Sequence, residues 1–214
     1  MKTAIVLGAT GLIGQNLTKK LVEQPHIKKV IAVTRRVVDY SHPKIENQVV
    51  DFSLLEQYSQ LFSGDLLFSC LGTTKKQAGS SAAQRMVDVD YQLTAAKLAA
   101  TNGVTEYFLV SSSGANATSK NTYLQMKGEL EDSIVSLGFK RICIFQPSLL
   151  LGERNHLRIG EKIGSWILPT LCTLPALKRY KPIYGYQVAA KMCQVSAQQK
   201  VGITRYKLEE CFPK

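Results

Sequence analysis

Thr3-Ala4-Ile5-Val6-Leu7-Gly8-Ala9-Thr10-Gly11-Leu12-Ile13-Gly14 begins as an apolar run and ends in three glycines, each three residues from the next. The run reads as a buried strand and Leu12–Glu23 as an amphipathic helix, so the glycines occupy the turn between them. In a dinucleotide site Gly8 would allow the tight turn and Gly11 the approach of backbone to a pyrophosphate. Gly14 would let helix and sheet pack closely, with the helix N-terminus facing the phosphates. The spacing G-x-x-G-x-x-G differs from the commoner G-x-G-x-x-G. Its place between the first strand and the first helix is what gives it meaning.

Further strands are expected at Val30–Thr34, Gln48–Val50, Leu66–Cys70, Tyr107–Ser111 and Arg141–Phe145. Helical periodicity marks Leu54–Phe62, Ala82–Thr101 and Tyr123–Leu137 between them. Near-continuous Val, Ile, Leu and Phe in strands that alternate with helices implies a parallel sheet covered on both faces. The expected fold is a doubly wound α/β sheet of the Rossmann kind, a single domain over 1–214. Residues 151–214 would form a small region on the substrate or partner side.

The second strand ends Val33-Thr34-Arg35-Arg36. A carboxylate at this position suits a ribose 2′-hydroxyl, whereas a guanidinium suits a 2′-phosphate through forked, charge-assisted bonds. Two arginines and no acid point to NADP(H). After the third strand, Val50-Asp51-Phe52 offers Asp51 to the adenine amino group. After the fourth, Cys70-Leu71-Gly72-Thr73-Thr74 places a glycine where backbone must pass the cofactor.

The fifth strand runs into Ser111-Ser112-Ser113-Gly114, and Tyr123-Leu124-Gln125-Met126-Lys127 follows. Tyr123 and Lys127 are four apart and share one face of a helix. A lysine ammonium beside a phenol favours its ionised form and can hold the nicotinamide ribose. The phenol can then exchange a proton with a substrate oxygen. A strand-end serine would bind the same oxygen; Ser112 is the first choice, with Ser111 and Ser113 as alternatives.

The chain has 214 residues, 45% hydrophobic and 20% charged, which excludes intrinsic disorder. Its net charge is +11. Fourteen basic and twelve acidic residues precede Lys140, whereas thirteen basic and four acidic residues follow from it. The surplus is dispersed and lacks aromatic interleaving, so no nucleic-acid partner is expected, and it suggests an anionic small-molecule substrate. Five cysteines without a C-x-x-C pair, and three isolated histidines, indicate neither a disulfide framework nor a metal site. The apolar stretch Ile163–Leu177 is broken by Pro169 and Pro175 and is shorter than the ~20 residues of a membrane span. No secretory leader is evident, which gives a reducing cytoplasm as the expected compartment.

These features together resemble the short-chain dehydrogenase/reductase superfamily, most closely its atypical branch of Tat-interacting-protein-like oxidoreductases. The likeness rests on the glycine loop, Arg35-Arg36, Val49-Val50-Asp51-Phe52 and Cys70-Leu71-Gly72-Thr73-Thr74. It continues through Ser111-Ser112, Tyr123 to Glu129 and Pro147…Leu150-Leu151, weakening after about Leu168. The resemblance implies a cofactor set of Gly8, Thr10, Gly11, Leu12, Ile13, Gly14, Arg35, Arg36, Asp51, Phe52, Leu71, Gly72, Thr73, Tyr123 and Lys127. Arg158 would reach the cofactor or a bound anion. It implies hydride transfer between NADP(H) and a carbonyl or alcohol, with Ser112, Tyr123 and Lys127 catalytic. The alternative is an NADPH-binding regulatory or scaffold protein that contacts a protein partner. The chain departs from the superfamily in two places. Gln146-Pro147 replaces the usual Arg-Pro, and no residue matches its catalytic asparagine. Oligomeric state is not encoded in any motif.

Overall fold

A computed structural model describes residues 1–152 and 178–213. Seven strands form one sheet: β1 (Lys2–Leu7), β2 (Ile27–Thr34), β3 (Ile45–Val49), β4 (Leu66–Ser69), β5 (Glu106–Val110), β6 (Arg141–Gln146) and β9 (Gly202–Lys207). Their order is β3-β2-β1-β4-β5-β6-β9, and every pairing is parallel. β7 (Leu150–Leu151) and β8 (Ile183–Tyr184) make a separate two-stranded ribbon.

Alternation along β1 explains why both faces are covered. Ala4 and Val6 join one core with Leu17 and Leu21 of α1 (Gly14–Val22) and Val188 and Met192 of α6 (Gly185–Ser196). Ile5 and Leu7 join the other core, with Ala95, Ala96 and Ala99 of α4 (Tyr91–Thr101) and Leu130 and Ile134 of α5 (Thr122–Val135). Successive side chains of a strand point to opposite faces, so an unbroken apolar strand needs helices on both.

Several expected elements differ in detail. The third strand begins earlier, at Ile45, and Phe52–Phe62 is a kinked 3-10 segment rather than an α-helix. The expected Ala82–Thr101 helix is a composite of α3 (Ser81–Arg85), a π turn (Met86–Asp90) and α4; the short α2 (Lys75–Ala78) precedes it. β9 escaped the sequence reading because its pattern is largely exposed at the sheet edge. It and α6 belong to the main sandwich, so the C-terminal third supplies core.

The chain order reverses at β1. β2 and β3 extend to one side, while β4, β5, β6 and β9 extend to the other. Loops leaving β1 and β4 therefore part at their carboxyl ends, the place where open α/β sheets bind ligands.

Candidate active site

The glycine turn is shaped by contacts that only hydrogen atoms permit. Gly8 has φ +73°, and a Cβ there would lie 2.7 Å from the Cys70 carbonyl oxygen. The turn and the exit from β4 thus touch backbone to backbone, and the Cys70 N–H donates to Leu7 O at 3.0 Å. A Cβ on Gly14 would lie 2.1 Å from Gly8 O, so α1 starts directly against the turn. Gly11 is different. A Cβ there meets only Gly8 O at 3.2 Å and Cys70 O at 3.9 Å, and Gly72 meets only Asp88 Oδ1, at 3.6 Å. These two glycines border open space.

The first turn of α1 faces the same space. Ile13 is its N-cap, no side chain caps it, and the turn holds no acid. By contrast Thr74, Ser80 and Asn121 each cap their helices with a side-chain oxygen. Uncapped N–H groups at a helix N-terminus attract an anion. Leu12 and Ile13 are themselves buried, Leu12 against Gly152 and Gly185. Thr10 is exposed beside them.

Arg35 and Arg36 are exposed just past β2. Thr34 Oγ1 donates to Arg36 O at 2.7 Å, and Asn47 Nδ2 donates to Thr34 Oγ1 at 2.7 Å, which orders this exit. Among the described residues no carboxylate pairs with either guanidinium. Asp51 is exposed and accepts hydrogen bonds from the hydroxyl and N–H of Ser53, which hold its carboxyl below the usual range. The Phe52 ring is buried against Tyr91, 5.7 Å between centroids, so its side chain belongs to the core. Arg158 lies outside the described residues.

A cleft of about 510 Å³ opens at the carboxyl ends of β4, β5 and β6. Ser112, Ser113, Tyr123, Thr73, Pro147 and Leu150 are among the residues lining it, with Tyr180. α5 starts where Asn121 Oδ1 accepts from the N–H groups of Tyr123 and Leu124, which places Tyr123 in its first turn. The loop after β5 folds back on α5: Asn116 N donates to Leu124 O at 3.0 Å. A Cβ on Gly128 would lie 2.1 Å from Ala117 N, so this helical glycine is what allows the loop, and the serines with it, to lie on the helix. A glycine inside a helix costs ~1 kcal/mol against alanine, so its presence beside Lys127 was a signal of close packing.

The three serines now separate. Ser111 is buried, and its Oγ donates to Glu131 Oε1 at 2.5 Å. Ser112 Oγ makes only a long contact of 3.4 Å with Ser113 O and lines the cleft with Tyr123. Ser113 lies on the wall between this cleft and a second one of about 370 Å³. Tyr123 is 36% exposed, whereas Lys127 beneath it is 3% exposed, its Nζ 5.9 Å from the Tyr123 ring centroid.

Two buried carboxylates were not anticipated from the sequence. Asp88 Oδ1 lies 2.8 Å from Lys127 Nζ. Glu131 accepts from Ser111, from Gln146 Nε2 at 2.8 Å and from Arg205 Nε at 3.4 Å, joining the ends of β5, β6 and β9 to α5. Gln146, the departure from Arg-Pro, is thereby used. A legible signal existed for both acids. Gln84, Asp88 and Gln92 recur every four residues on one buried face, and Glu131 follows Tyr123 and Lys127 at the same interval.

The sequence pattern of the NAD dependent epimerase/dehydratase family matches residues 4–131, from β1 to Glu131. The chain belongs to the NAD dependent epimerase/dehydratase family. Within it, the expected likeness to Tat-interacting-protein-like oxidoreductases holds. The chain is 39% identical over 164 residues to protein HTATIP2 of Rattus norvegicus, covering 75% of this chain and 67% of that protein. It is 36% identical over 174 residues to protein FMP52, mitochondrial, of Candida albicans, covering 77% of this chain and 76% of that protein. The structure of MoeE5 in complex with UDP-glucuronic acid and NAD superposes with a TM-score of 0.71 at 14% identity, covering 97% of this chain and 76% of that one. This last likeness is one of fold.

The family relatives correct one expectation. A cytoplasmic compartment was inferred from the lack of a secretory leader, but relatives matched over most of the chain are named as mitochondrial. The inference failed because a missing apolar leader speaks only against secretion. Mitochondrial import signals are amphipathic and carry no such run. No helix among the described residues is long and apolar enough to cross a membrane. No group of three His, Cys, Asp or Glu side chains among them is placed to hold a metal.

Proposed function

We propose that this protein is an NADP(H)-dependent oxidoreductase acting on a carbonyl or alcohol held in the Tyr123 cleft. The observation that carries the proposal is that Tyr123 and Ser112 line one cleft with Thr73 of the β4 exit, and that Lys127 is buried 5.9 Å from the Tyr123 ring centroid. The residues present fit the cofactor. Gly11 and Gly72 border open space, the α1 N-terminus is uncapped, and Arg35 and Arg36 stand exposed where a 2′-phosphate would arrive. NADP(H), when bound, supplies or takes up the hydride.

The backbone of Gly8–Gly14 would receive the pyrophosphate, and Leu71–Thr73 would border the nicotinamide half. Lys127 would donate to the nicotinamide ribose. Ser112 would donate a hydrogen bond to the substrate oxygen and orient it. Tyr123 would give its proton to that oxygen as hydride reaches the carbon, and would take it back in oxidation. Arg179 lies on the ring of Tyr180, a residue of the cleft wall, which puts a guanidinium at the rim. That favours a substrate carrying an anionic group, and the UDP-glucuronic acid bound by MoeE5 is one such chemistry to include.

The test is NADPH oxidation against a panel of aldehydes, ketones and sugar nucleotides. Turnover on at least one, lost in Tyr123→Phe, is expected. A Tyr123→Phe protein with wild-type turnover would refute the mechanism. NADPH binding without turnover across the panel would favour a regulatory role.

A further inference from the structure

Asp88 sits where α3 passes through the π turn into α4. Single π turns inside helices recur at functional sites, because the extra residue re-aims a side chain. Asp88 has no exposed surface, yet both its oxygens are engaged by elements of the site just described. Oδ1 is 2.8 Å from Lys127 Nζ, and Oδ2 accepts from Thr73 N at 3.2 Å. Gly72 lies over the same carboxylate, its absent Cβ 3.6 Å from Oδ1. One turn on, buried Gln92 donates to Leu71 O at 3.4 Å and to Asp88 O at 2.9 Å, and its Oε1 accepts from Ser69 Oγ. The face of the helix carrying Asp88 and Gln92 therefore holds the β4 exit on one side and the lysine of α5 on the other.

We infer that Asp88 is the positioning residue of the site, setting the Lys127 ammonium and the Leu71–Thr73 backbone relative to one another through one carboxylate. The inference rests on the oxidoreductase reading and deepens it. An ammonium 3% exposed needs a buried counter-charge, since an unpaired charge in such surroundings is strongly disfavoured. Asp88 supplies it as an ion pair at 2.8 Å, and the ammonium's N–H groups would donate to ribose hydroxyls. An amide in its place would still accept from Thr73 N but would leave Lys127 without its partner. Lys127 would then no longer be held toward the ribose.

The experiment is a double-mutant cycle read by NADPH binding, with nicotinamide fluorescence as the signal. Asp88→Asn is expected to weaken NADPH about tenfold or more, and Lys127→Met comparably. Asp88→Asn/Lys127→Met should bind no more weakly than Lys127→Met alone, because Asp88 acts through the lysine. 2′-Phosphoadenosine 5′-phosphate, which lacks the nicotinamide ribose, should bind wild type and Asp88→Asn equally; a general loosening of the fold would weaken both ligands. Unchanged NADPH affinity in Asp88→Asn, additive losses in the cycle, or equal loss of the fragment would overturn the inference while leaving the oxidoreductase reading intact. If wild type binds neither ligand, the oxidoreductase reading falls, and the inference with it. Should Asp88→Asn fail to fold, the double variant decides. Affinity equal to that of Lys127→Met supports the inference, and weaker affinity overturns it.

Discussion

Gly11 and Gly14 stand in the same loop, and the structure predicts that alanine at each does opposite things. At position 14 the new Cβ would be 2.1 Å from Gly8 O, over an ångström inside ordinary contact, and the obstacle is backbone. Relief requires α1 to back away from the turn. Overpacking of this kind costs ~1–3 kcal/mol. For a protein of this size that is a fall in melting temperature of roughly 2–12 °C. At position 11 the Cβ meets Gly8 O at 3.2 Å and nothing nearer, and the glycine φ is not in the left-handed region, so a shift of a few tenths of an ångström accommodates it. The methyl instead stands where phosphate oxygens would meet backbone N–H groups. Losing one charge-assisted hydrogen bond costs ~1.5–3 kcal/mol, or about a 10- to 150-fold loss of affinity. Thermal unfolding with and without NADPH separates the two. At a hundred times its dissociation constant NADPH stabilises wild type by ~2.7 kcal/mol. In Gly11→Ala, with affinity reduced about a hundredfold, the same concentration gives only ~0.4 kcal/mol. Gly14→Ala should melt early with or without ligand. The reasoning is refuted if Gly11→Ala melts as early as Gly14→Ala, or if Gly11→Ala keeps the full NADPH shift.

Further outcomes are expected. Tyr123→Phe should lower turnover by about a hundredfold or more while NADPH affinity stays within a few fold, measured by steady-state kinetics and fluorescence titration. Replacing Arg35 and Arg36 together with Ser should cost about tenfold in NADPH affinity and leave NADH unaffected, since only the 2′-phosphate contact is removed; competition between the two dinucleotides reads this directly. Glu131→Ala leaves the Ser111 hydroxyl and the Gln146 amide buried without an acceptor, so it should destabilise by ~2–4 kcal/mol in denaturant unfolding. Burial pushes the thiols of Cys70 and Cys211 up to about 12 and Cys193 up to about 11, and raises Cys143. At pH 8 about one in ten thousand or fewer of the Cys70 and Cys211 thiols is thiolate, so these four cysteines should resist iodoacetamide until the protein is unfolded, as mass spectrometry of labelled peptides would report.

Periodicity and spacing made the central sheet legible. Five of its seven strands contain an unbroken apolar run, because a strand buried on both faces has no polar side to alternate with. The glycine loop was legible for a related reason. A turn that brings backbone to within contact of Cys70 and of its own helix admits no other residue type at Gly8 and Gly14. Tyr123 and Lys127 were legible because helical spacing alone puts them on one face. β9 was not, since it is largely exposed and its place depends on pairing with β6, far off in sequence.

What the sequence by itself determined, then, is the set of local relations: which runs are strands, where the chain must turn tightly, and which pairs share a helix face. Tertiary structure alone decided which groups meet across the chain. Three adjacent serines became distinguishable only once Glu131 was seen to take Ser111 and leave Ser112 facing the cleft. Lys127 proved to be half of a buried ion pair only once α5 was packed against the π turn that carries Asp88, thirty-nine positions earlier. A hydrogen bond or ion pair is specified by distance and direction. For residues remote in sequence those are properties of packing, on which residue type and spacing are silent.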